Sequence, residues 1–261
     1  MKAMIFAAGL GTRLKPLTDT MPKALVPVSG KPLLWHVANK LHSEGVDDFV
    51  INTHHFPYQI LEYATGAEMK QAIGTSRVAI SDEQPQPLET GGGVLKAKAM
   101  LDDASHFLVH NTDILSNLDI KAFEDAFLKS GDTLATLLVS ERKTQRYLLF
   151  NDGLELVGWT NIATGEVKSP FEGLDVSRCR MLAFAGAHVI SSKVFDAMKK
   201  LGFSGKFGIV DFYLAACATY KIKAYIQPGL RLMDVGKIDT LKEADDFLLA
   251  MNHTHHHLVA E

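Results

Sequence analysis

The chain has 261 residues, 47% of them hydrophobic, which is an ordinary composition for a globular protein with a sizeable core. Its formal net charge of −3 argues against nucleic acid as a partner, and no apolar run reaches the roughly 18 residues that a membrane helix needs. We expect no signal peptide, because a strand is predicted at the amino terminus. Cys179 and Cys217 lack metal-ligand spacing and are expected to be buried thiols of a cytoplasmic protein.

Strands and helices are predicted to alternate over the first half of the chain. Apolar runs and helical periodicity predict strands at residues 3–8, 49–51, 78–80 and 107–111, and helices at residues 32–43, 58–64 and 94–101. Alternation at this spacing is typical of right-handed β-α-β crossovers. We therefore predict an α/β, Rossmann-like fold in which a mostly parallel, twisted sheet carries helices on both faces.

After residue 130 the pattern becomes mixed. The strands predicted there are residues 134–139, 147–150, 156–159, 182–190 and 224–226, and the helices are residues 192–201, 210–220 and 238–251. We expect a smaller mixed β region over the mouth of the first part, within a single domain of residues 1–252. Histidines recur in the tail at residues 253–261; a metal site is one interpretation, but a solvated terminus is favoured because nothing fixes the imidazoles.

A glycine-rich segment directly follows the first predicted strand. The sequence Gly-Leu-Gly-Thr-Arg-Leu at residues 9–14 lets phosphate approach the backbone N–H groups closely, because glycine has no side chain to block it. Arg13 and Lys23 add positive charge beside this loop. Leu14 replaces the third glycine of a dinucleotide-binding pattern, and residues 29–32 do not complete a Walker loop. The segment predicts a triphosphate site, with a plain tight turn as the alternative.

Two aspartates lie where apolar stretches end. Asp113 follows the predicted strand at residues 107–111, and Asp234 follows a later stretch. Ligands bind at the carboxyl ends of the strands in an open parallel sheet, and Mg²⁺ with phosphate ligands takes one or two protein carboxylates. The two aspartates therefore suggest a magnesium site, although either one alone is more typical of a turn.

A second glycine-rich run, at residues 91–93, precedes the helix predicted at residues 94–101. Three consecutive glycines would allow the backbone to hold a flat base by main-chain contacts, and a flexible connection is the alternative.

Taken in chain order, these motifs resemble the sugar-1-phosphate nucleotidyltransferases over nearly the whole chain. The matching segments are residues 9–14, 22–23 and 88–92, together with Asp113 and residues 234–236. The string Leu-Glu-Thr-Gly-Gly-Gly at residues 88–93 is most similar to N-acetylmuramate-1-phosphate uridylyltransferases, and short mannose- and heptose-1-phosphate guanylyltransferases are similar too. The resemblance implies an enzyme that makes a nucleotide sugar and pyrophosphate from a nucleoside triphosphate and a sugar 1-phosphate, with Mg²⁺ as cofactor.

The resemblance also implies roles for parts of the chain. Residues 1–130 would bind the nucleotide and residues 131–252 the sugar. Arg13 and Lys23 would be catalytic, and Asp113 and Asp234 would hold the magnesium ion. The residues expected to bind the nucleotide are Ala8, Gly9, Leu10, Gly11, Thr12, Arg13, Glu83, Thr90, Gly91 and Gly92, and those expected to bind the sugar are Asn161 and Gly186.

Several positions depart from the family pattern. Thr112 stands where relatives usually have glycine, residues 158–161 replace a Glu-Lys-Pro segment, and Ala185 lacks the hydroxyl of the usual Phe-Thr-Gly. UTP with N-acetylmuramic acid 1-phosphate is the favoured substrate pair, and GTP with mannose or heptose 1-phosphate is the alternative. An NAD-dependent oxidoreductase and a nucleotide-sugar sensor without turnover are the other classes that we weigh. An oligomer is compatible with the sequence.

Overall fold

The computed structural model describes the backbone of residues 1–257 and the side chains of residues 1–251. Its strands are β1 (Lys2–Phe6), β2 (Pro27–Val28), β3 (Lys31–Pro32), β4 (Asp48–Thr53), β5 (Arg77–Asp82), β6 (His106–Asn111), β7 (Ile114–Ser116), β8 (Ala135–Ser140), β9 (Arg146–Phe150), β10 (Leu156–Asn161), β11 (Glu166–Lys168), β12 (Arg180–Ser191), β13 (Ile222–Ile226) and β14 (Leu232–Asp234). Its α-helices are α1 (Leu33–Ser43), α2 (Pro57–Thr65), α3 (Ala67–Ile73), α4 (Glu89–Lys96), α5 (Lys98–Leu101), α6 (Ile120–Lys129), α7 (Val194–Lys200), α8 (Ile209–Ala216) and α9 (Ile238–His257).

A ten-stranded sheet forms the centre of the fold and takes strands from both halves of the chain. Strands β6, β1, β4 and β5 lie side by side in that order and are all parallel. Strand β12 pairs antiparallel with β6, β8 pairs antiparallel with β12, and β13 runs parallel to β8. The predicted α/β class with a mostly parallel central sheet is confirmed, and the carboxyl ends of four parallel strands meet at one edge.

Helices cover both faces of this sheet. Alternate side chains of a strand point to opposite faces, and β1 shows this clearly. Met4 belongs to a buried core formed with α4, α5, α7 and α8, whereas Ala3 and Ile5 belong to a second core formed with α1, α2, α3 and α6. A third, smaller core joins the segment after β1 to β14 and α9 through Leu14 and Val235. The loop predicted to bind phosphate is therefore anchored by the last helix of the fold.

The second half of the chain adds an antiparallel extension to the sheet. Strands β9, β10 and β11 pair in that order, and β9 also pairs with the beginning of β12. The register of β12 against β8 shifts between Phe184 and His188, and Gly186 lies in this irregular stretch with a φ of +77°. A positive φ favours glycine because other residues suffer a steric clash there. One long strand thus serves both the central sheet and the smaller mixed β region that the sequence predicts.

Some helices differ from the prediction. Helices α3 and α6 were not predicted, although α6 carries a recognisable signal. Asp119 accepts a hydrogen bond from the Ala122 N–H at 2.8 Å, and Ile120, Phe123 and Phe127 are buried at helical spacing behind it. This capping residue and the apolar spacing are visible in the sequence, so the helix could have been found.

The ends of two other helices also differ. Helix α4 begins at Glu89, so the three glycines at residues 91–93 lie inside a helix rather than in a loop before it. Helix α9 continues to His257 rather than ending at residue 251. The side chains of the predicted histidine tail lie outside the described residues.

No helix within residues 1–257 is long and apolar enough to cross a membrane. Cys179 and Cys217 are both unpaired, but they are half-buried rather than buried as predicted. Burial raises the pKa of the Cys217 thiol to about 11, so this side chain is a neutral thiol at pH 7.

Candidate active site

The loop after β1 keeps its shape through contacts that only glycine permits. Gly11 has a φ of +65°, and a Cβ atom there would lie 2.7 Å from the Thr18 methyl carbon. The Thr18 hydroxyl donates to the Gly11 carbonyl at 2.8 Å, which holds the two segments together. Gly9 and Leu10 at the tip are exposed, and no atom lies within 4 Å of the position that a Cβ of Gly9 would occupy. The loop is firmly held at Gly11 and open at Gly9.

A buried chain of polar groups connects this loop to the segment after β5. The Ala7 N–H donates to the Asn52 side-chain oxygen at 2.7 Å, and the Asn52 amide donates to Glu83 Oε1 at 2.7 Å. The other oxygen of Glu83 accepts from the Leu88 N–H at 2.9 Å. Because Glu83 is only 2% exposed and both its oxygens are already bonded, its side chain fixes the position of the segment at residues 83–88.

A cavity of about 420 Å³ opens where β1, β4 and β6 end, a size that suits a small-molecule ligand. The predicted site residues that line it are Ala8, Gly9, Leu10, Lys23, Glu83, Thr90 and Asp113. Its lining does not include the other predicted residues, which are Gly11, Thr12, Arg13, Gly91, Gly92, Asn161, Gly186 and Asp234.

Lys23 and Asp113 form an ion pair on the wall of this cavity. Both side chains are largely buried, with exposed fractions of 14% and 17%. Asp113 is positioned by its neighbour Thr112, whose hydroxyl donates to the Phe6 carbonyl at 2.7 Å and so ties the end of β6 to the end of β1. In a partly buried ion pair of this kind, the ammonium can attract an anionic ligand and the carboxylate can attract a cation.

Asp234 lies beside Asp113 because β14 pairs with β7. Asp234 is opposite Ile114 in this antiparallel pair, and the Val235 N–H donates to the Asp113 carbonyl at 2.7 Å. One carboxylate oxygen of Asp234, Oδ1, is buried and has no hydrogen-bond partner. Since buried polar atoms are normally bonded, this oxygen points to a missing ligand.

The two aspartates fit the protein side of a magnesium site. Within residues 1–257 no group of three or more His, Cys, Asp and Glu side chains is placed to hold a metal ion. Magnesium in phosphate-binding sites needs only one or two carboxylates, because waters and phosphate oxygens complete its coordination. The unpartnered Asp234 oxygen and the Asp113 carboxylate, carried by backbone segments that are hydrogen-bonded to each other, match that pattern of ligands.

Arg13, which follows the glycine-rich loop, also lies near Asp234. A Cβ atom on Gly236 would lie 2.6 Å from Asp234 Oδ1 and 2.9 Å from a terminal nitrogen of the Arg13 guanidinium. Gly236 therefore leaves room for both groups, and the exposed Arg13 guanidinium lies near the Asp234 carboxylate. A larger residue than glycine at position 236 would collide with the Asp234 carboxylate and the Arg13 guanidinium.

The second glycine-rich run packs against the protein rather than opening into the cavity. The N–H groups of Gly91 and Gly92 both donate to the Phe207 carbonyl, at 2.9 and 3.1 Å, so these donors are already used within the protein. A Cβ on Gly91 would clash with the Phe207 ring, and one on Gly92 would clash with the Gly205 carbonyl. These glycines allow α4 to pack closely on the loop before α8.

Thr90 lines the cavity but also serves that packing. Its hydroxyl accepts from the Ile209 N–H at 2.9 Å, at the start of α8. The expectation that this run precedes the helix is wrong, because the run forms the first turns of α4.

The two expected sugar contacts lie in different places. Asn161 ends β10 and lines a separate cavity of about 570 Å³ formed by the antiparallel extension. Gly186 lies close to the first cavity, because a Cβ there would be 3.0 Å from the Asn111 side-chain nitrogen, and Asn111 lines that cavity. The structure does not bring Asn161 and Gly186 together in one cavity lining.

Sequence reasoning missed three polar residues of the first cavity. Asn52 and Asn111 stand at the carboxyl ends of β4 and β6, and Lys206 reaches the rim with its ammonium 3.7 Å from Glu89. The rule that carboxyl ends of parallel strands carry the site would have found the two asparagines. Lys206 belongs to the loop that packs on α4, and no pattern in the sequence predicts that this loop reaches the cavity.

A buried histidine next to the site does not act as a base at neutral pH. His110 precedes Asn111 and is 4% exposed, and burial lowers its pKa to about 4. Its ring nitrogen Nδ1 lies 2.7 Å from the Asn111 carbonyl oxygen. The imidazole is therefore neutral at pH 7 and acts as a packing residue behind the site.

Comparison with known proteins decides between the classes that the sequence left open. A family model described as nucleotidyl transferase matches residues 2–251. The chain belongs to the nucleotidyl transferase family. The chain is therefore an enzyme, and the resemblance noted from the motifs is confirmed.

Relatives within the family differ in their nucleotide and sugar. The chain is 34% identical over 232 residues to N-acetylmuramate alpha-1-phosphate uridylyltransferase of Caulobacter vibrioides, a match that covers 87% of this chain and 89% of that protein. It is 35% identical over 143 residues to mannose-1-phosphate guanylyltransferase 1 of Arabidopsis thaliana, which covers 54% of this chain and 38% of that protein.

Solved structures with this fold include nucleotide complexes. HddC from Yersinia pseudotuberculosis complexed with GMP-PN matches with a TM-score of 0.71 at 23% identity, covering 95% of this chain and 99% of that one. UDP-glucose pyrophosphorylase complexed with UDP-glucose matches with a TM-score of 0.74 at 18% identity, covering 96% and 98%. These similarities establish the fold.

Proposed function

We propose that the chain transfers a uridylyl group from UTP to N-acetylmuramic acid 1-phosphate in a magnesium-dependent reaction that releases pyrophosphate. The observation that carries the proposal is the charge arrangement at the edge of the first cavity. Lys23 pairs with Asp113 there, and the adjacent Asp234 has a buried carboxylate oxygen without a partner. Phosphate groups and a divalent cation are the ligands that would satisfy this arrangement.

In the proposed reaction an oxygen of the sugar phosphate attacks the α-phosphorus of UTP while pyrophosphate departs on the opposite side. That oxygen is already ionised at neutral pH, so the reaction needs no general base. Catalysis then consists of alignment and charge neutralisation. Burial lowers the pKa of His110 to about 4 and makes its imidazole a poor proton acceptor, which agrees with a mechanism that needs no general base.

Lys23 and Arg13 would supply the positive charge. Lys23 neutralises Asp113, and an incoming phosphate would give its ammonium a second anionic partner on the cavity wall. Arg13 stands beside the loop tip with a planar guanidinium that can hold two phosphate oxygens at once. We assign the backbone of Leu10, Gly11 and Thr12 to the same triphosphate.

Asp113 and Asp234 would hold the magnesium ion. When bound, the ion neutralises phosphate charge and orients the reacting phosphate oxygens. The β7–β14 pair places Asp234 opposite Ile114, and the hydrogen bond from the Val235 N–H to the Asp113 carbonyl joins the two segments. Backbone pairing would thus fix where the ion binds.

The base would lie against the backbone of Ala8 and Gly9 in the first cavity. Glu83 would shape this pocket through Asn52 and Leu88 rather than bond to the base, since both its oxygens are occupied. Gly91 and Gly92 would act similarly, by seating α4 against the loop before α8.

The choice of substrates follows a relative that matches over 87% of this chain and 89% of its own length, an N-acetylmuramate alpha-1-phosphate uridylyltransferase. GTP with mannose 1-phosphate or heptose 1-phosphate is the second candidate, supported by the shorter match to a mannose-1-phosphate guanylyltransferase. We assign the reaction to the cytoplasm, in keeping with two unpaired cysteines.

A substrate panel tests the proposal. Pyrophosphate release is measured with UTP, GTP, CTP and dTTP, each paired with the 1-phosphates of N-acetylmuramic acid, N-acetylglucosamine, mannose and heptose. We expect the highest kcat/KM with UTP and N-acetylmuramic acid 1-phosphate. A higher value with GTP and mannose 1-phosphate would favour the second candidate. Tight nucleotide binding without pyrophosphate release from any pair would indicate a sensor.

A further inference from the structure

The antiparallel extension presents one coherent face to the second cavity. Residues directly opposite each other across β9, β10 and β11 form two rows, and alternation along each strand puts both rows on the same face. The first row is Arg146, Asn161 and Glu166, and the second row is Leu148, Trp159 and Lys168. All six residues line the cavity of about 570 Å³.

Helix α8 and the strand β12 close the other sides of this cavity. Val210, Asp211 and Leu214 line it from the helix, and Phe184 lines it from the strand. The cavity therefore has a wall that is apolar apart from Asp211, and it faces a floor of mixed polar and apolar side chains. Trp159 adds a half-buried indole to the floor, a side chain that packs well against a sugar ring.

The positive charges in this cavity are not all neutralised by neighbours. Lys168 lies 3.6 Å from Glu166 and 5.2 Å from the centre of the Trp159 ring, so its charge already has partners. Arg142 and Arg146 differ, because within residues 1–251 no carboxylate lies within 4 Å of either guanidinium. One N–H of Arg142 donates to the Phe184 carbonyl at 3.1 Å, which holds this guanidinium at the cavity wall.

The cavity lies next to the proposed reaction centre. Phe184, in its wall, is two residues from Gly186, which contacts Asn111 in the first cavity. Two residues of chain span at most about 7 Å, roughly the length of a hexose ring with one substituent. On the other side, the carboxylates of Glu89 and Asp211, one in each lining, both lie within 4 Å of a Cβ position on Gly208.

We propose that Arg142 and Arg146 bind a second anionic group, a carboxylate, on the sugar 1-phosphate. The inference rests on the proposed function, because the first cavity and Asp113 must fix the phosphate end of the same molecule. A guanidinium forms two parallel hydrogen bonds to a carboxylate, and two such groups without acidic partners favour an acidic sugar over a neutral one. Arg142 and Arg146 are in this account the specificity-determining residues of the acceptor.

The phosphate on C1 of the sugar is the other anion that these arginines could reach. The two sources are separated by a pair of acceptors that share the phosphate and differ in the carboxylate. N-acetylmuramic acid 1-phosphate and N-acetylglucosamine 1-phosphate are such a pair, because they differ only by the lactyl ether on the hydroxyl oxygen at C3. A role in phosphate binding would affect both acceptors equally, whereas a role in carboxylate binding would affect only the first.

The test measures kcat/KM with UTP for both acceptors in the wild type, Arg142→Gln, Arg146→Gln and Arg180→Gln. Arg180 is a matched control, since it is an exposed arginine of the same region that contacts Glu141 at 3.2 Å and does not line the cavity. Calorimetric binding of both acceptors, with a non-reactive UTP analogue present, gives a second readout that does not require turnover.

We expect Arg142→Gln and Arg146→Gln each to lower kcat/KM and affinity for the acidic acceptor by about 10- to 100-fold, the effect of one lost hydrogen bond to a charged group. Values for the neutral acceptor, and all values for Arg180→Gln, should stay near those of the wild type. Equal losses for both acceptors, or no loss, would overturn the inference and leave the nucleotidyltransferase proposal intact. Selective, arginine-dependent binding of the acidic acceptor without pyrophosphate release would instead overturn the proposed reaction.

Discussion

The proposed nucleotide side and the proposed acceptor side of this enzyme are built in opposite ways. On the nucleotide side the polar groups bond to one another, as in the buried chain from Ala7 through Asn52 to Glu83. On the acceptor side the charged groups are exposed and stand on an antiparallel extension, with Arg146 as an example. The difference suggests that the reaction centre is rigid and preorganised, whereas the acceptor surface can change without disturbing the core.

The largest expected effect is the loss of either carboxylate of the proposed magnesium site. We expect Asp113→Asn and Asp234→Asn each to reduce kcat by about 1000-fold or more, because the variant side chains hold the cation poorly. Pyrophosphate release measures the rate, and calorimetry measures Mg²⁺ binding in the presence of UTP. The Asp234 variant should remain folded, since its Oδ1 has no partner to lose. A variant with near-normal turnover would remove that residue from the site.

The next effect separates two lysines that lie close together in the sequence. Lys23→Ala removes the cation from the cavity wall and is expected to lower kcat/KM by about 100-fold, comparable to losing one charge-stabilising group. Lys31→Ala is the control, because Lys31 forms an ion pair with Glu68 away from this cavity. Steady-state kinetics with both substrates compares them. Similar losses in the two variants would refute the role of Lys23.

Two glycines of the nucleotide side should fail in different ways. Gly92→Ala would push a methyl group into the Gly205 carbonyl and is expected to cost about 1–3 kcal/mol of stability through overpacking. Gly9→Ala meets open space, so its stability should match the wild type while its nucleotide affinity falls. Chemical denaturation and UTP binding measure the two quantities. If Gly92→Ala were as stable as the wild type, Gly92 would not be required for packing, and the proposed difference between Gly92 and Gly9 would be wrong.

The smallest effect concerns β12, the strand that joins the two sides. Burial lowers the pKa of His188 to about 3, and its Nδ1 lies 2.6 Å from the Tyr213 hydroxyl. Below pH 6.5 this histidine is therefore protonated in the unfolded chain but not in the folded chain. The free energy of unfolding should decrease as the pH is lowered, by up to about 1.4 kcal/mol per pH unit for this group.

His188→Gln removes that proton linkage while keeping a polar partner for Tyr213. We expect a shallower loss of stability between pH 6.5 and about pH 5 than in the wild type, measured by urea unfolding. His110, whose pKa is about 4, would still contribute in the variant. An unchanged slope would mean that His188 takes up its proton in the folded state.

The sequence predicts the residues of the nucleotide side better than those of the acceptor side, for a physical reason. Its residues stand directly after buried strands, so Asp113 and the loop at residues 9–14 can be placed from strand ends alone. The acceptor side depends on which residues lie opposite each other across β9, β10 and β11. Arg146 and Lys168 come together through that register, which no local pattern specifies.

Two segments show how tertiary packing adds to local patterns. The glycines at residues 91–93 suggest a loop, yet contact with Phe207 and Gly205 makes glycine necessary inside α4. Glu83 was expected to contact the base edge, and its hydrogen bonds to Asn52 and Leu88 can be known only once β4 and β5 are paired. In both cases the decisive partner is distant in the sequence.

The most direct test of the account is pyrophosphate formation from UTP and N-acetylmuramic acid 1-phosphate as Mg²⁺ is titrated. We predict no turnover with a chelator present and a saturable rise with Mg²⁺ in the wild type. Asp234→Asn should require far more of the ion or remain inactive. Full turnover without a divalent cation, or no pyrophosphate from this pair at any Mg²⁺ concentration, would contradict the account.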